Sequence, residues 1–357
     1  MEILLEELYK TDRHAAHFVE RKAQLEPETS YQINGIAKCG KSALLKQHLS
    51  TVKKSDSLYI DCRDVRIEIE PFNRALGPFC AEREIRCVVL DNYRPEFMLP
   101  DVEQRLVACE VHYPMKGFER MVLRPLDYEE FLAYEHKFDS TALNHFFQLG
   151  GFPAMHRIAA DERVRYLQES LQHALTGIEF DLMLLAARMA SQKVSAHMLY
   201  ERLKAERKIS KDMLYKSMEG LLEKGYLHQV GKFGHDRAVK KLYLCDGAFK
   251  NALSTQKHFG RLFENLVFLE MLKRGYTVTY GEGVDFYLPK QHRVVLCMPF
   301  GNREMLFKKI EGIEGFMVTH GVERVEVVTM SAEGSLQHPF IRAEMLPFDL
   351  WALSEGE

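Results

Sequence analysis

The chain has 357 residues, 46% apolar and 28% charged, with a formal net charge of −3. This is the make-up of a globular protein of two or three domains; it argues against a wholly basic nucleic-acid binder but leaves room for a local basic patch. No apolar run is long enough to span a bilayer, and the opening Met1-Glu2-Ile3-Leu4-Leu5-Glu6-Glu7 has the wrong charge for a signal peptide.

Seven cysteines at positions 39, 62, 80, 87, 109, 245 and 297 include no C-x-x-C pair. They read as free thiols in a reducing cytoplasm, with neither a disulfide framework nor a zinc site. The first strong local signal is Tyr31-Gln32-Ile33-Asn34, a short strand, followed by Gly35-Ile36-Ala37-Lys38-Cys39-Gly40-Lys41-Ser42. That run fits G-x-x-x-x-G-K-[S/T] at every fixed position, and Ser42-Ala43-Leu44 through Leu49 reads as the helix behind it. Strand, glycine loop and helix is the geometry that turns backbone N–H groups toward a polyphosphate. The expected contact residues are Gly35, Ala37, Lys38, Cys39, Gly40, Lys41, Ser42 and Ala43. Lys41 is expected to reach the outer phosphates and Ser42 to hold Mg²⁺, the metal that arrives with the nucleotide.

Apolar strand candidates follow at Leu58–Asp61, Cys87–Asp91, Leu106–Val111 and Arg120–Leu123, with helical patterns between several of them. Alternation of this kind predicts an α/β fold, a parallel sheet sandwiched between helices. A phosphate loop needs an acid at the end of a buried apolar strand, and Cys87-Val88-Val89-Leu90-Asp91 supplies Asp91. The next residue, Asn92, can orient water but cannot accept its proton, which predicts slow or absent hydrolysis unless another base serves. Glu110 on the strand Leu106–Val111 and His112 just after it are candidates for the polar sensor that P-loop ATPases place near the γ-phosphate, against the competing reading of a solvated strand end. Asp61 and Asp64 follow the second strand, where they either border the Mg²⁺ site or belong to a solvated loop.

Asp127 is a plausible N-cap for the helix opening at Tyr128. A helix over Thr141–Leu149 is stopped by Gly150-Gly151-Phe152-Pro153, and more helix is expected from about Ala154 to Met189. Helices at Val194–Lys204 and Lys211–Lys224, the second capped by Ser210 and stopped by Gly225, precede strands Tyr226–Val230 and Lys241–Cys245. Helix, helix and hairpin is a winged-helix pattern. The last region reads as a helix, Phe259–Arg274, and strands at Tyr276–Tyr280, Val284–Leu288, Val294–Met298, Phe316–Thr319 and Arg324–Val328: a small α/β domain.

Together these residues resemble a family of prokaryotic AAA-related P-loop ATPases with a winged-helix region and a C-terminal nuclease-like domain of the PD-(D/E)xK type. The markers are Gly35–Ser42, the strand ending in Asp91, Leu123-Arg124-Pro125-Leu126-Asp127-Tyr128-Glu129-Glu130-Phe131, the Gly150-Gly151-Phe152-Pro153 turn, Lys240–Asp246, and Gly260–Val267 with Val284-Asp285-Phe286. The resemblance implies ATP as the nucleotide, Asp91 as the Walker B aspartate, and four segments: an ATPase core over 1–140, a helical lid over 141–190, a winged helix over 191–250 and a degenerate nuclease-like domain over 251–357.

The departures from the family pattern matter. Asp91-Asn92 replaces Asp-Glu. The Gly-Arg pair that carries a trans-acting arginine is missing, and Arg120 is the best substitute. The catalytic candidates are therefore Asn92, Glu110 and Arg120. Of the nuclease residues Glu264 and Asp285 remain, but the strand Val294–Met298 has neither the acid nor the lysine, so that site reads as dead and its two acids as structural. The winged-helix region carries Arg207, Lys208, Lys211, Lys216, Lys224, Lys232, Arg237, Lys240 and Lys241, with Asp212, Glu219 and Glu223 among them, a mixture typical of a solvated face. The expectation is a cytoplasmic ATP-binding switch with weak or absent hydrolysis, placing ATP or ADP with Mg²⁺ at the loop, with a protein partner or a second copy as a further possibility. The alternative is a DNA-binding regulatory protein whose nucleotide site is vestigial.

Overall fold

The computed structural model describes residues 1–11, 19–137, 140–338 and 341–354. The chain divides into two units, Met1–Pro125 and Leu126–Glu357.

The first unit contains α1 (Glu2–Lys10), β1 (Tyr31–Asn34), α2 (Lys41–Leu49), β2 (Ser57–Asp61), α3 (Ile69–Glu82), β3 (Cys87–Asp91), β4 (Gln104–Cys109) and β5 (Glu119–Val122). All its strand pairs are parallel, in the order β2-β3-β4-β1-β5. Every residue of β1 and β3 is buried, as befits inner strands covered on both faces. Leu58, Ile60, Phe72, Leu76, Val88, Leu90 and Val107 form the core between the sheet and α3, and Leu5 of α1 joins it. Parallel register brings the C-terminal ends of the strands to one edge, with Asp61 opposite Asp91 and Asn34 opposite both Cys109 and Val122. Each expected strand of this unit is found, with ends shifted by up to two residues.

The second unit opens with α4 (Tyr128–Glu135), where Asp127 forms a reciprocal capping box with Glu130. Then come α5 (Ser140–Leu149), α6 (Arg163–Ala174) and α7 (Gly177–Met189). The helical stretch expected from about Ala154 to Met189 is a 3₁₀ turn at Pro153–His156 followed by α6 and α7. The break between α6 and α7 is made by Thr176, whose hydroxyl accepts from the Glu179 N–H while Glu179 accepts from the Thr176 N–H. Strand β6 (Gln192–Lys193), α8 (Ala196–Glu206), α9 (Lys211–Lys224), β7 (Leu227–Val230) and β8 (Lys241–Leu244) follow, with an antiparallel sheet in the order β6-β8-β7. Ser210 caps α9 through the Met213 N–H, and Gly225 ends it in the left-handed region.

The remainder is α10 (Gly247–Leu253), α11 (Phe259–Lys273), β9 (Thr279–Gly281), β10 (Val284–Leu288), β11 (Arg293–Cys297), α12 (Arg303–His320), β12 (Arg324–Thr329), β13 (Gly334–His338), β14 (Ile341–Pro347) and α13 (Phe348–Leu353). The six strands form one mixed sheet in the order β13-β14-β12-β11-β10-β9. The strand expected at Phe316–Thr319 is wrong; those residues are the last turns of α12. Asn302 caps that helix, and Leu306, Ile310, Ile313 and Met317 bury one stripe at helical spacing, which overrides the local β preference of Phe, Val and Thr. Among the described residues no helix is long and apolar enough to cross a membrane.

Candidate functional site

The glycine loop leaves the sheet at the C-terminal edge of the first unit. The Gly35 N–H still bonds the Cys109 carbonyl at 3.3 Å, the last rung of the sheet. A Cβ on Gly35 would overlap the Leu123 carbonyl oxygen, so this position has no room for a side chain. The loop then turns through two left-handed residues, Lys38 at φ 65° and Gly40 at φ 109°, before α2 begins at Lys41. Cys39, fully buried, donates its thiol to the Leu123 carbonyl at 3.3 Å. Arg21 donates to the Cys39 carbonyl at 3.0 Å and to the Arg124 carbonyl at 2.7 Å, fastening the loop to the chain that follows β5.

Lys41 is buried and curls back over its own loop. Its Nζ donates to the carbonyls of Gly35 at 2.7 Å and Ile36 at 2.8 Å. The ammonium thus lies in the cradle where a phosphate oxygen would offer it the same interaction. Ser42 and Ala43 are exposed in the first turn of α2, at the positive end of the helix.

Asp91 ends β3 and is 2% exposed. Its Oδ2 accepts from the Tyr59 hydroxyl at 2.6 Å and its Oδ1 from the Asn92 N–H at 2.9 Å. Burial followed by the Asp91 charge pushes the Tyr59 hydroxyl well above the ordinary tyrosine range, and Ser42 beside it acts the other way. One hydroxyl therefore bonds the aspartate and stands beside the serine expected at the metal. Their donors, a hydroxyl and a carboxylate oxygen, suit a hard cation such as Mg²⁺, which keeps waters and takes further oxygens from phosphate. Ser42 and Asp91 would hold it there, where it would neutralise developing charge on the phosphates.

Asn92 adopts φ 55°, and its side-chain Nδ2 donates to Asp61 Oδ1 at 2.8 Å. Asp61 ends β2 and also accepts the Arg63 N–H at 3.0 Å. Asp64 turns elsewhere. Its carboxylate takes both Arg66 Nε at 3.0 Å and Arg66 Nη2 at 2.7 Å, and that hydrogen bonding holds it below the usual carboxylate range. Glu110 follows β4 and stands 3.9 Å from Arg63. His112 has a buried Nδ1 with no hydrogen-bond partner among the described residues. Arg120 is exposed on edge strand β5 opposite Gln32, two residues short of the strand's loop-bearing end. The structure thus brings Lys41, Ser42, Asp91 and Asn92 to one edge and places Arg120 farther back along the sheet.

Sequence reading missed Tyr59, Arg21 and Lys46, whose Nζ lies 5.1 Å from the centroid of the Tyr59 ring. A signal for Tyr59 existed: it sits two residues before Asp61, so both side chains share one face of β2.

In the second unit, Glu264 of α11 accepts from Lys241 at 2.9 Å and from the Tyr243 hydroxyl at 2.7 Å, both from β8. Asp285 of β10 accepts the Cys297 N–H at 2.9 Å. Burial raises the Glu264 carboxyl above its ordinary value despite the lysine. Lys241 was not expected at these acids. Several of the basic residues near the hairpin are already engaged: Arg207 with Asp181, Lys224 with Glu179, Lys232 with Glu282 and Lys241 with Glu264.

No protein-family model matches the chain. An uncharacterized protein of Methanocaldococcus jannaschii is 23% identical to it, across 93% of this chain and 90% of that protein. A Walker-type ATPase of Pyrococcus abyssi matches 63% of this chain and 90% of its own, at 14% identity and a TM-score of 0.42. The ORC1 protein of Aeropyrum pernix, solved in complex with DNA, matches 63% of this chain and 86% of its own, at 16% identity and a TM-score of 0.29.

Proposed function

We propose that this chain is an AAA-related ATP-binding protein, a nucleotide-dependent switch with weak or absent hydrolysis. The observation that carries the reading is the convergence of Lys41, Ser42 and Asp91 on one edge of a parallel sheet, with the loop built around glycines that have physical reasons to be glycine. The switch has a local form. In the structure Lys41 caps the Gly35 and Ile36 carbonyls and the Tyr59 hydroxyl bonds Asp91 beside Ser42; with Mg²⁺ and ATP, phosphate oxygens would take Lys41 and the cation would take Ser42 and Asp91. Asn92 in place of a glutamate supports slow turnover, since an amide cannot accept the proton of the attacking water.

Residues 141–190, 191–250 and 251–357 fit a helical lid, a winged helix and a nuclease-like domain without nuclease activity. The Lys241–Glu264 pair supports the last point, because it commits one of the two remaining acids to an internal cation. The ion pairs that engage Arg207, Lys224, Lys232 and Lys241 weigh against the DNA-binding alternative, leaving Lys208, Lys211, Lys216, Arg237 and Lys240 to serve it.

Calorimetric titration with ATP and ADP in the presence of Mg²⁺, with phosphate release measured on the same sample, tests the reading. Saturable binding with slow phosphate release is expected, and Lys41→Ala weakens the binding. Absence of any nucleotide binding by the wild-type chain refutes it.

A further inference from the structure

The position directly after Asp91 lacks a base, yet the residue there is committed to a specific task. The Asn92 amide donates to Asp61 Oδ1 at 2.8 Å, while its backbone N–H donates to Asp91 Oδ1 at 2.9 Å. Its left-handed backbone, φ 55°, is a conformation that asparagine tolerates better than most residues. One residue therefore orients two carboxylates, each the last residue of its strand and each opposite the other in the register of β2 and β3.

Asp61 is held on one side only. The Asn92 amide and the Arg63 N–H both meet Oδ1, and among the described residues Oδ2 accepts no hydrogen bond. The side chain is half-buried, at the same edge as the glycine loop. The other nearby acids are differently placed: Asp64 is clasped by Arg66, and Glu110 faces Arg63.

We propose that Asp61 is the general base of this site, so that the proton acceptor stands at the end of β2 and Asn92 is its positioning residue. The assignment rests on reading the site as one for Mg²⁺ and ATP. In the step it serves, Asp61 Oδ2 takes a proton from a water molecule as the water oxygen bonds to the γ-phosphorus. The bond from that phosphorus to the β,γ-bridging oxygen breaks, and its electron pair stays on ADP. The proton then passes from Asp61 to the released phosphate or to solvent. A positioned base of this kind contributes about 10²–10⁴ in rate.

The test uses the full chain and compares wild type with Asp61→Asn, Asp61→Glu and Asn92→Ala. Two quantities are measured: calorimetric affinity for a non-hydrolysable ATP analogue with Mg²⁺, and single-turnover phosphate release. Asp61→Asn should keep the affinity within about threefold and lose about 100-fold in release. Asp61→Glu should restore part of the rate, and Asn92→Ala should fall between wild type and Asp61→Asn. Wild-type release from Asp61→Asn, or binding by wild type with no release at all, overturns the assignment while leaving the nucleotide site intact. Failure of wild type to bind the analogue overturns both.

Discussion

Lys41→Ala separates two roles of one ammonium: the carbonyl bonds that the structure shows and the phosphate contact that we propose. In the structure Lys41 Nζ satisfies two buried carbonyls, Gly35 at 2.7 Å and Ile36 at 2.8 Å. Each charge-assisted bond is worth about 1.5–3 kcal/mol net, and ordering the lysine side chain offsets about 1.5–2 kcal/mol of the sum. The substitution should therefore destabilise the first unit by about 2 kcal/mol; at roughly 3–5 °C per kcal/mol for a unit of this size, its unfolding midpoint falls by about 6–10 °C.

The second role shows only with nucleotide. At a ligand concentration of about 100 times the wild-type Kd, binding stabilises wild type by about 2.7 kcal/mol. If removing the phosphate contact weakens affinity by about 100-fold, the same concentration stabilises Lys41→Ala by only RT ln 2, about 0.4 kcal/mol. The assay is thermal unfolding of both proteins with and without ATP and Mg²⁺. The two losses should appear as a lower midpoint without ligand and a shift of a degree or two with it. An equal ligand-induced shift in both proteins refutes the placement of Lys41 at the phosphates. An unchanged midpoint without ligand refutes the carbonyl-capping role.

Other consequences are as direct. Tyr59→Phe removes the hydroxyl that bonds Asp91 beside Ser42 and would otherwise compete with Mg²⁺ for the carboxylate. Affinity for ADP with Mg²⁺, read by calorimetry, should tighten about tenfold, the equivalent of one bond to a charged group; weaker binding would mean that the hydroxyl serves the bound state. Gly35→Ala pushes a methyl into the Leu123 carbonyl, itself next to the Leu123 N–H bond to Asn34. Denaturant titration should show a loss of about 1–3 kcal/mol, and wild-type stability would contradict the packing. Asp246, fully buried, has its carboxyl raised by burial to about 6, although the Gly151 and Ala248 N–H bonds pull it down. A raised native value means that the folded state holds the proton more tightly. This contribution is full below the ordinary value of 3.8, is lost as the pH rises past about 6, and amounts to about 3 kcal/mol. Unfolding of wild type and Asp246→Asn between about pH 4 and about pH 8 should show that fall only in wild type; the same slope in both refutes it.

Much of the first unit was legible because buried parallel strands are written as continuous apolar runs. Cys87–Asp91 shows its strand, its end and its acid in five letters. Caps were legible for a similar reason: Asp127 and Ser210 act on neighbours three residues away. The rest depends on separation in sequence. Arg21 reaches Arg124, and Asn92 reaches Asp61, through contacts that only the folded sheet brings together. Lys241 meets Glu264 by the same kind of non-local approach. The misread strand at Phe316–Thr319 is the converse case. Its composition favours strand, but the stripe that decides it starts at Leu306, well outside a four-residue window. Strand β14 was overlooked although Ile341, Ala343, Met345 and Pro347 alternate as buried positions.

The strand order explains why these particular groups share an edge. With β4 between β1 and β3, the glycine loop and Asp91 follow strand ends that are not adjacent, yet both lie at the carboxyl edge of the sheet, where α/β folds commonly bind ligands. Several polar groups there are already paired: Lys41 bonds its own loop, the Tyr59 hydroxyl bonds Asp91 beside Ser42, and Asn92 bonds Asp61. Others are not, since Asn34 Oδ1 and His112 Nδ1 are buried without a hydrogen bond among the described residues. On the proposed nucleotide reading, binding exchanges several of these bonds for new ones, which gives the site two arrangements. The ligand would shift the balance by its differential affinity for them. Asp61 fits that scheme. Its bond to Asn92 is not one of those that Mg²⁺ or phosphate must break, so the base keeps its orientation in both arrangements.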